Sequence, residues 1–295
     1  MTPSVDQLPD HTSGTKVDTE RWLAIAWCVT LLIAVYFPVL RHLVDQWTWD
    51  EDVSHGFFVP IVAGFIVWQR REGLSRSEWR PAWWGLAVIG WGVLQGYVGM
   101  LGAELFLQRT SFLITLVGVL LLVGGAKLVK GLAFPLLLLL FMIPIPEVLY
   151  NQITFPLQIF ASQVAEWTLG AVGIPVLRDG NILELASQKL SVAEACSGIR
   201  SLLSLSFLSL VYAYFFDGRV WVRWVLLALT IPIAIIANSG RVTMTGVLSE
   251  VNPQFAQGFF HSIEGWIIFM IALAMLVGCH LLLPRVAHKG EAQPV

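Results

Sequence analysis

The sequence predicts an all-α polytopic membrane protein of about eight transmembrane helices, with a small extracytoplasmic cap made of an amphipathic helix and a β-hairpin. Two observations carry most of that prediction. The chain has 295 residues, of which 56% are hydrophobic and only 13% charged, whereas about a quarter of the residues of a soluble domain are charged. Eight apolar segments approach the ~20 residues a helix needs to cross the hydrocarbon core. Helices and closed barrels are the two structures that satisfy the backbone inside lipid, and no run alternates in the manner of a barrel strand. The 13 tryptophans fit aromatic belts at two membrane interfaces. A net charge of −2 leaves no broad basic surface for nucleic acid.

Residues 1–20 are polar, contain Pro3, Pro9 and Gly14, and read as a disordered cytoplasmic tail. The first apolar run starts at Trp22, too far into the chain for a cleavable signal peptide. The spans then read as Trp22–Leu40, Gly56–Trp68, Trp83–Leu101, Thr110–Ala126, Leu132–Ile145, Ser197–Phe216, Val220–Ala237 and Ser262–Leu283. Gly92 and Gly96 place a GxxxG pair in the third, which reads as helix packing. Together these make one transmembrane domain over residues 21–284, followed by a cytoplasmic tail, residues 285–295.

Orientation follows from the positive-inside rule. The loop Gln69–Pro81 carries Arg70, Arg71, Arg76 and Arg80 and is assigned to the cytoplasm. Counting outward from it puts 12 of the 18 Lys and Arg on the cytoplasmic side and both termini inside; the membrane expected is the cell inner (plasma) membrane. Ile153–Ile174 tests the count. It is apolar but contains Gln158, Gln163 and Glu166, and a crossing here would turn Arg219, Arg223, Arg285 and Lys289 outward. It therefore reads as an amphipathic or re-entrant helix at the outer face. In Pro175–Ala195, alternation around the turn signal Asp179-Gly180-Asn181 reads as a hairpin. Residues 147–195 form the cap.

That topology brings four sequence-distant groups to one depth on the outer face. Cys196 opens the sixth span, Arg241 closes the seventh, His261 opens the eighth and His55 opens the second. Titratable groups beside spans mark functional sites by default. A thiol at a helix N-terminus, with Arg200 one turn on and Arg241 nearby, is pushed toward the thiolate. Backbone N–H groups of Ser197 and Gly198 are placed to bind an oxyanion, and His261 to move a proton. These are the parts of thiol-based acyl transfer. Plainer readings stand beside them. A lone Cys packs as a small hydrophobe, Arg200 and Arg241 anchor helices by snorkelling, and His55 and His261 are interfacial residues. Glu264 either orients the His261 ring or caps the first helical turn. Cys28 and Cys279 lie in apolar runs and no disulfide framework is expected. No metal or cofactor motif occurs, so none is expected.

Four stretches resemble the exosortase/archaeosortase family of membrane cysteine transpeptidases. They are "WTWDEDVSHGFFVPIVAGFIVWQRR" (Trp47–Arg71), "VAEACSGIRSLLSL" (Val192–Leu205), "IPIAIIANSGRV" (Ile231–Val242) and "GFFHSIEGWIIF" (Gly258–Phe269). The resemblance implies Cys196 as nucleophile, Arg241 as charge stabiliser and His261 as proton-transfer residue, with Asn238 orienting Arg241. It implies no catalytic role for His55 or Arg200. It also implies protein substrates whose C-terminal tail joins a short motif of the Pro-Glu-Pro (PEP-CTERM) type, a transmembrane helix and a basic cluster, and a lipid or glycan acceptor. Two other function classes remain open to the sequence. One is a transporter using Arg241, His261 and Glu264 as a path. The other is a non-catalytic subunit of an envelope or exopolysaccharide assembly system.

Overall fold

The structure, a computed structural model, describes residues 12–75, 79–192, 198–252 and 258–290. The chain divides into two compact units, one up to Pro144 and one from Ile145. Among the described residues four helices are long and apolar enough to cross a membrane, Glu51–Ser75, Leu105–Gly131, Val220–Val251 and Ile263–Leu283, or up to six when two broken pairs each count once. They contain the expected spans Gly56–Trp68, Thr110–Ala126 and Val220–Ala237 whole, and Ser262–Leu283 but for its first residue. The class is thus an all-α polytopic membrane protein.

In the first unit α1 (Thr12–Val35) and α2 (Phe37–Trp49) form one broken pair, bent by 74°. Pro38, in the first turn of α2, lacks the N–H that would continue the ladder of α1. The helix starts at Thr12, so the backbone of residues 12–20, expected as tail, is helical. A 3-10 turn, Glu51–Phe57, leads into α3 (Phe58–Ser75), and α4 (Gly85–Leu101) pairs with α5 (Leu105–Gly131). The GxxxG expectation holds there. A Cβ on Gly92 would lie 2.4 Å from Thr115 Oγ1, and one on Gly96 2.8 Å from Ser111 Oγ. Close approach lets polar groups pair inside the seam, where Tyr36 Oη lies 3.0 Å from Thr115 Oγ1 and accepts from Ser111 Oγ at 3.3 Å.

The expected span Leu132–Ile145 is corrected. It is α6 (Ala133–Leu139) followed by a 3-10 turn, Leu140–Met142. Ten residues at 1.5 Å each reach about 15 Å, half the hydrocarbon thickness. Pro144 and Pro146 block continuation.

The second unit begins with α7 (Glu147–Ala171). Its polar residues turn toward a sheet. Asn181 donates to Gln158 at 3.0 Å, and Arg178 pairs with Glu166 at 2.7 Å. The residues left facing outward include Phe155, Phe160 and Trp167, all exposed. Two of the three polar positions that argued for a wetted face, Gln158 and Glu166, are thus satisfied within the protein, while Gln163 is exposed beside those apolar residues.

The expected hairpin is present, as β1 (Val176–Asp179) and β2 (Ile182–Leu185) in register Asp179↔Ile182. The two-residue turn has Gly180 at φ +62°, which only glycine adopts without strain. A third strand, β3 (Lys189–Ser191), extends the hairpin into a three-stranded antiparallel sheet. Three residues were too short to carry a periodic signal. Beyond it run α8 (Gly198–Phe216), α9 (Val220–Val251) and α10 (Gly258–Gly290). Ala161, Ala165 and Leu169 of α7, Leu183, Leu185 and Leu190 of the sheet and Val242 of α9 share one buried core. The cap is therefore built onto the helix that carries Arg241.

Candidate functional site

The residues of the site come from α9 and α10. On α9, Asn238, Val242, Thr245 and Ser249 recur at three- to four-residue spacing and are all buried, which makes one inward face of the helix. Polar side chains on that face need partners, because desolvation without a hydrogen bond costs about 1–3 kcal/mol. Ser249 donates to the Thr245 carbonyl at 2.6 Å. Thr245 Oγ1 lies 3.0 Å from the Arg241 carbonyl, and 2.8 and 2.9 Å from the two carboxylate oxygens of Glu264 on α10. A hydroxyl has a single proton, and the carboxylate is the stronger acceptor.

Glu264 is 2% exposed. The next residue, Gly265, faces the Arg241 guanidinium. A Cβ on Gly265 would sit 3.5 Å from Nη2 and 3.6 Å from Cζ. The structure thus brings the Arg241 stretch and the His261 stretch together, with Thr245, Glu264 and Gly265 at the contact. Asn238 is buried one turn before Arg241, on the same helix. The backbone of His261 belongs to α10, one turn before Glu264, and its side chain lies outside the described residues. So do Cys196 and Ser197. Gly198 is the first residue of α8, and Arg200, half-buried, is in its first turn. His55 belongs to the first unit, in the 3-10 turn before α3.

Sequence reasoning missed Thr245 and Gly265. Their signal was present as a hydroxyl four residues after Arg241 and a glycine beside Glu264, but nothing in the sequence pairs those positions. It also missed a second polar cluster in the same unit. His280 of α10 lies 2.9 Å from Tyr212 Oη through Nδ1 and 3.2 Å from Asp217 through Nε2. Arg219 closes on Asp217 with Nε at 3.0 Å and Nη2 at 2.7 Å. That guanidinium holds the Asp217 carboxyl well below the usual carboxylate range, helped by the Arg219 backbone N–H and by His280. Sixteen residues separate Glu264 from His280 on one helix, or about 24 Å at 1.5 Å per residue, close to the ~30 Å of a hydrocarbon core. The two polar clusters of the second unit are spaced like the two boundaries of a bilayer.

The family model described as transmembrane exosortase matches residues 47–278. No curated protein and no solved structure matches the chain.

Proposed function

Since this chain belongs to the transmembrane exosortase family, we propose that it is a cysteine transpeptidase acting at the extracytoplasmic face of the membrane. In this reading Cys196 is the nucleophile. Its thiol proton passes to His261, and the sulfur attacks a peptide carbonyl carbon in the C-terminal tail of a secreted protein. Negative charge develops on the carbonyl oxygen, and Arg241 stabilises it, with Asn238 orienting Arg241. The C–N bond then breaks, His261 returns the proton to the departing amine, and a thioacyl-enzyme remains. A second nucleophile, an amine on a lipid or glycan or else water, attacks the thioester and frees Cys196. Ser197 and Gly198 would offer N–H groups to the same oxyanion, and Arg200 would favour the thiolate.

The observation that carries the reading is the packing of the Arg241 guanidinium against Gly265, inside the stretch that holds His261. Two of the three motifs thereby meet although they are separated in sequence. The spacing of the two polar clusters supports a site near one membrane boundary. The Lys and Arg asymmetry of the sequence favours both termini in the cytoplasm. The substrate class, with its Pro-Glu-Pro type motif, transmembrane helix and basic cluster, is proposed on the resemblance.

The test is co-expression with a reporter protein carrying such a tail, followed by intact mass of the product C-terminus. Wild type yields a shortened product bearing an acceptor or a new carboxylate, and Cys196→Ala yields none while still inserting. Normal processing by Cys196→Ala would end the proposal.

A further inference from the structure

Glu264 poses a question that neither the family nor the motif answers. A carboxylate at 2% exposure costs several kcal/mol to desolvate, and well-packed apolar residues are often as stabilising. Stability is thus a weak reason for its presence. Its surroundings suggest another. Both of its oxygens lie within 2.9 Å of Thr245 Oγ1, whose hydroxyl also touches the backbone carbonyl of Arg241 at 3.0 Å. Thr245, one turn after Arg241, thus fixes the Glu264 carboxylate against the turn of α9 that begins at Arg241. The residue beside that carboxylate has no side chain, and the Arg241 guanidinium occupies the space over it, 3.5 Å from where a Cβ would be.

We propose that Glu264 and Thr245 form a buried clamp that positions Arg241, with Gly265 as the floor on which the guanidinium rests. The assignment rests on the proposed transpeptidase reading, in which Arg241 meets the developing oxyanion. Glu264 is a positioning residue and not a catalytic one, since it is too enclosed to touch a substrate. Its role is physical. An arginine has a long, flexible stem, and freezing it costs about 2 kcal/mol of rotamer entropy. A helix turn fixed by the Thr245–Glu264 contact and a fitted floor meet that cost before the substrate arrives, so the guanidinium is already in place when the oxyanion forms. The clamp also sets the register of α9 against α10, and hence the position of Arg241 relative to the helix bearing His261.

The experiment uses the full-length protein in membranes with the tailed reporter. It records the processing rate per folded molecule, together with the thermal midpoint in detergent. Glu264→Gln keeps the shape and removes the charge. Thr245→Val replaces the hydroxyl with a methyl. Both should slow processing by about tenfold or more, as removing a transition-state interaction does, with the midpoint within a few degrees of wild type. Thr245→Ser restores the hydroxyl and should keep most of the rate. Gly265→Ala puts a methyl at ordinary contact distance and should be mild, whereas Gly265→Leu must displace the guanidinium and should resemble Arg241→Ala. Rates for Glu264→Gln and Thr245→Val within about twofold of wild type, with Arg241→Ala inactive, would overturn the clamp and leave the function standing. Loss of rate only in proportion to loss of folded protein would also overturn it. Normal processing by Arg241→Ala would instead overturn the function. If Glu264→Gln fails to fold, the smaller change Thr245→Val decides.

Discussion

Gly56 stands in the stretch "SHG", where a glycine before an apolar helix reads as a simple helix start. Its environment makes a sharper statement. A Cβ at Gly56 would lie 2.3 Å from Trp47 Nε1 and 2.5 Å from Trp47 Cε2. Real Cβ atoms do not approach that closely, so the indole would have to move. It has little room to do so. Trp47 is buried, donates from Nε1 to the Met142 carbonyl at 3.0 Å, and stacks edge-to-face with Phe57 at 5.2 Å between centroids. Gly56→Ala therefore adds an overpacking cost of about 1–3 kcal/mol to a weakened buried hydrogen bond worth about 1 kcal/mol. The expected total is about 2–4 kcal/mol. Gly64, about two helix turns further into the same span, has nothing within 4 Å of its Cβ position. Gly64→Ala should be neutral or slightly stabilising, because alanine is the better helix former. The assay is thermal unfolding of purified protein in detergent, with both variants beside wild type. The midpoint of Gly56→Ala should drop by several degrees and that of Gly64→Ala should not. Equal midpoints for the two would refute the packing account of the glycine in "SHG".

Other outcomes follow from single contacts. Gly125 has φ +74°, and a Cβ there would lie 1.9 Å from the Arg80 carbonyl oxygen, whereas Gly173 has φ +84° with open space around it. Gly125→Ala should abolish folded protein, judged by size-exclusion profile, and Gly173→Ala should cost only the left-handed strain of about 1 kcal/mol. Asp217 has its carboxyl pKa lowered by Arg219, so its contribution is fully present above the unfolded value of about 4 and fades as pH falls below it. The thermal midpoint of wild type should hold from neutral pH down to about 5 and then fall, and the fall should be shallower in Asp217→Asn. Leu183, 0% exposed in the core shared by sheet, α7 and α9, should lose about 2–5 kcal/mol on change to Ala, measured as faster proteolysis of the cap.

Much of the fold is legible in the sequence. Apolar runs of span length have few options in lipid, because each backbone polar group must be satisfied within the segment or its closed neighbours. The Asp179-Gly180-Asn181 turn was legible because a two-residue hairpin needs a positive φ and glycine supplies it. The errors have equally physical causes. Leu132–Ile145 looked like a span because hydropathy does not register the geometric stop made by Pro144 and Pro146. Of the three polar residues read as one helix face, Gln163 is exposed, but a one-dimensional pattern does not show that Asn181 and Arg178 take up Gln158 and Glu166.

The site divides in the same way. Arg241, Glu264 and His261 were identifiable from sequence because charged and titratable groups are rare beside spans and stand out there. What brings Arg241 to Glu264 and Gly265 is the packing of α9 against α10, which joins positions 19 residues apart, Thr245 and Glu264. The Asp217–His280 contact likewise bridges 63 residues. Composition and hydropathy act along the chain, so the sequence by itself determined the membrane class and the helices. Hydrogen bonds and close contacts act through space, so only the tertiary structure decided that Arg241 rests on Gly265 and that Glu264 is buried against Thr245.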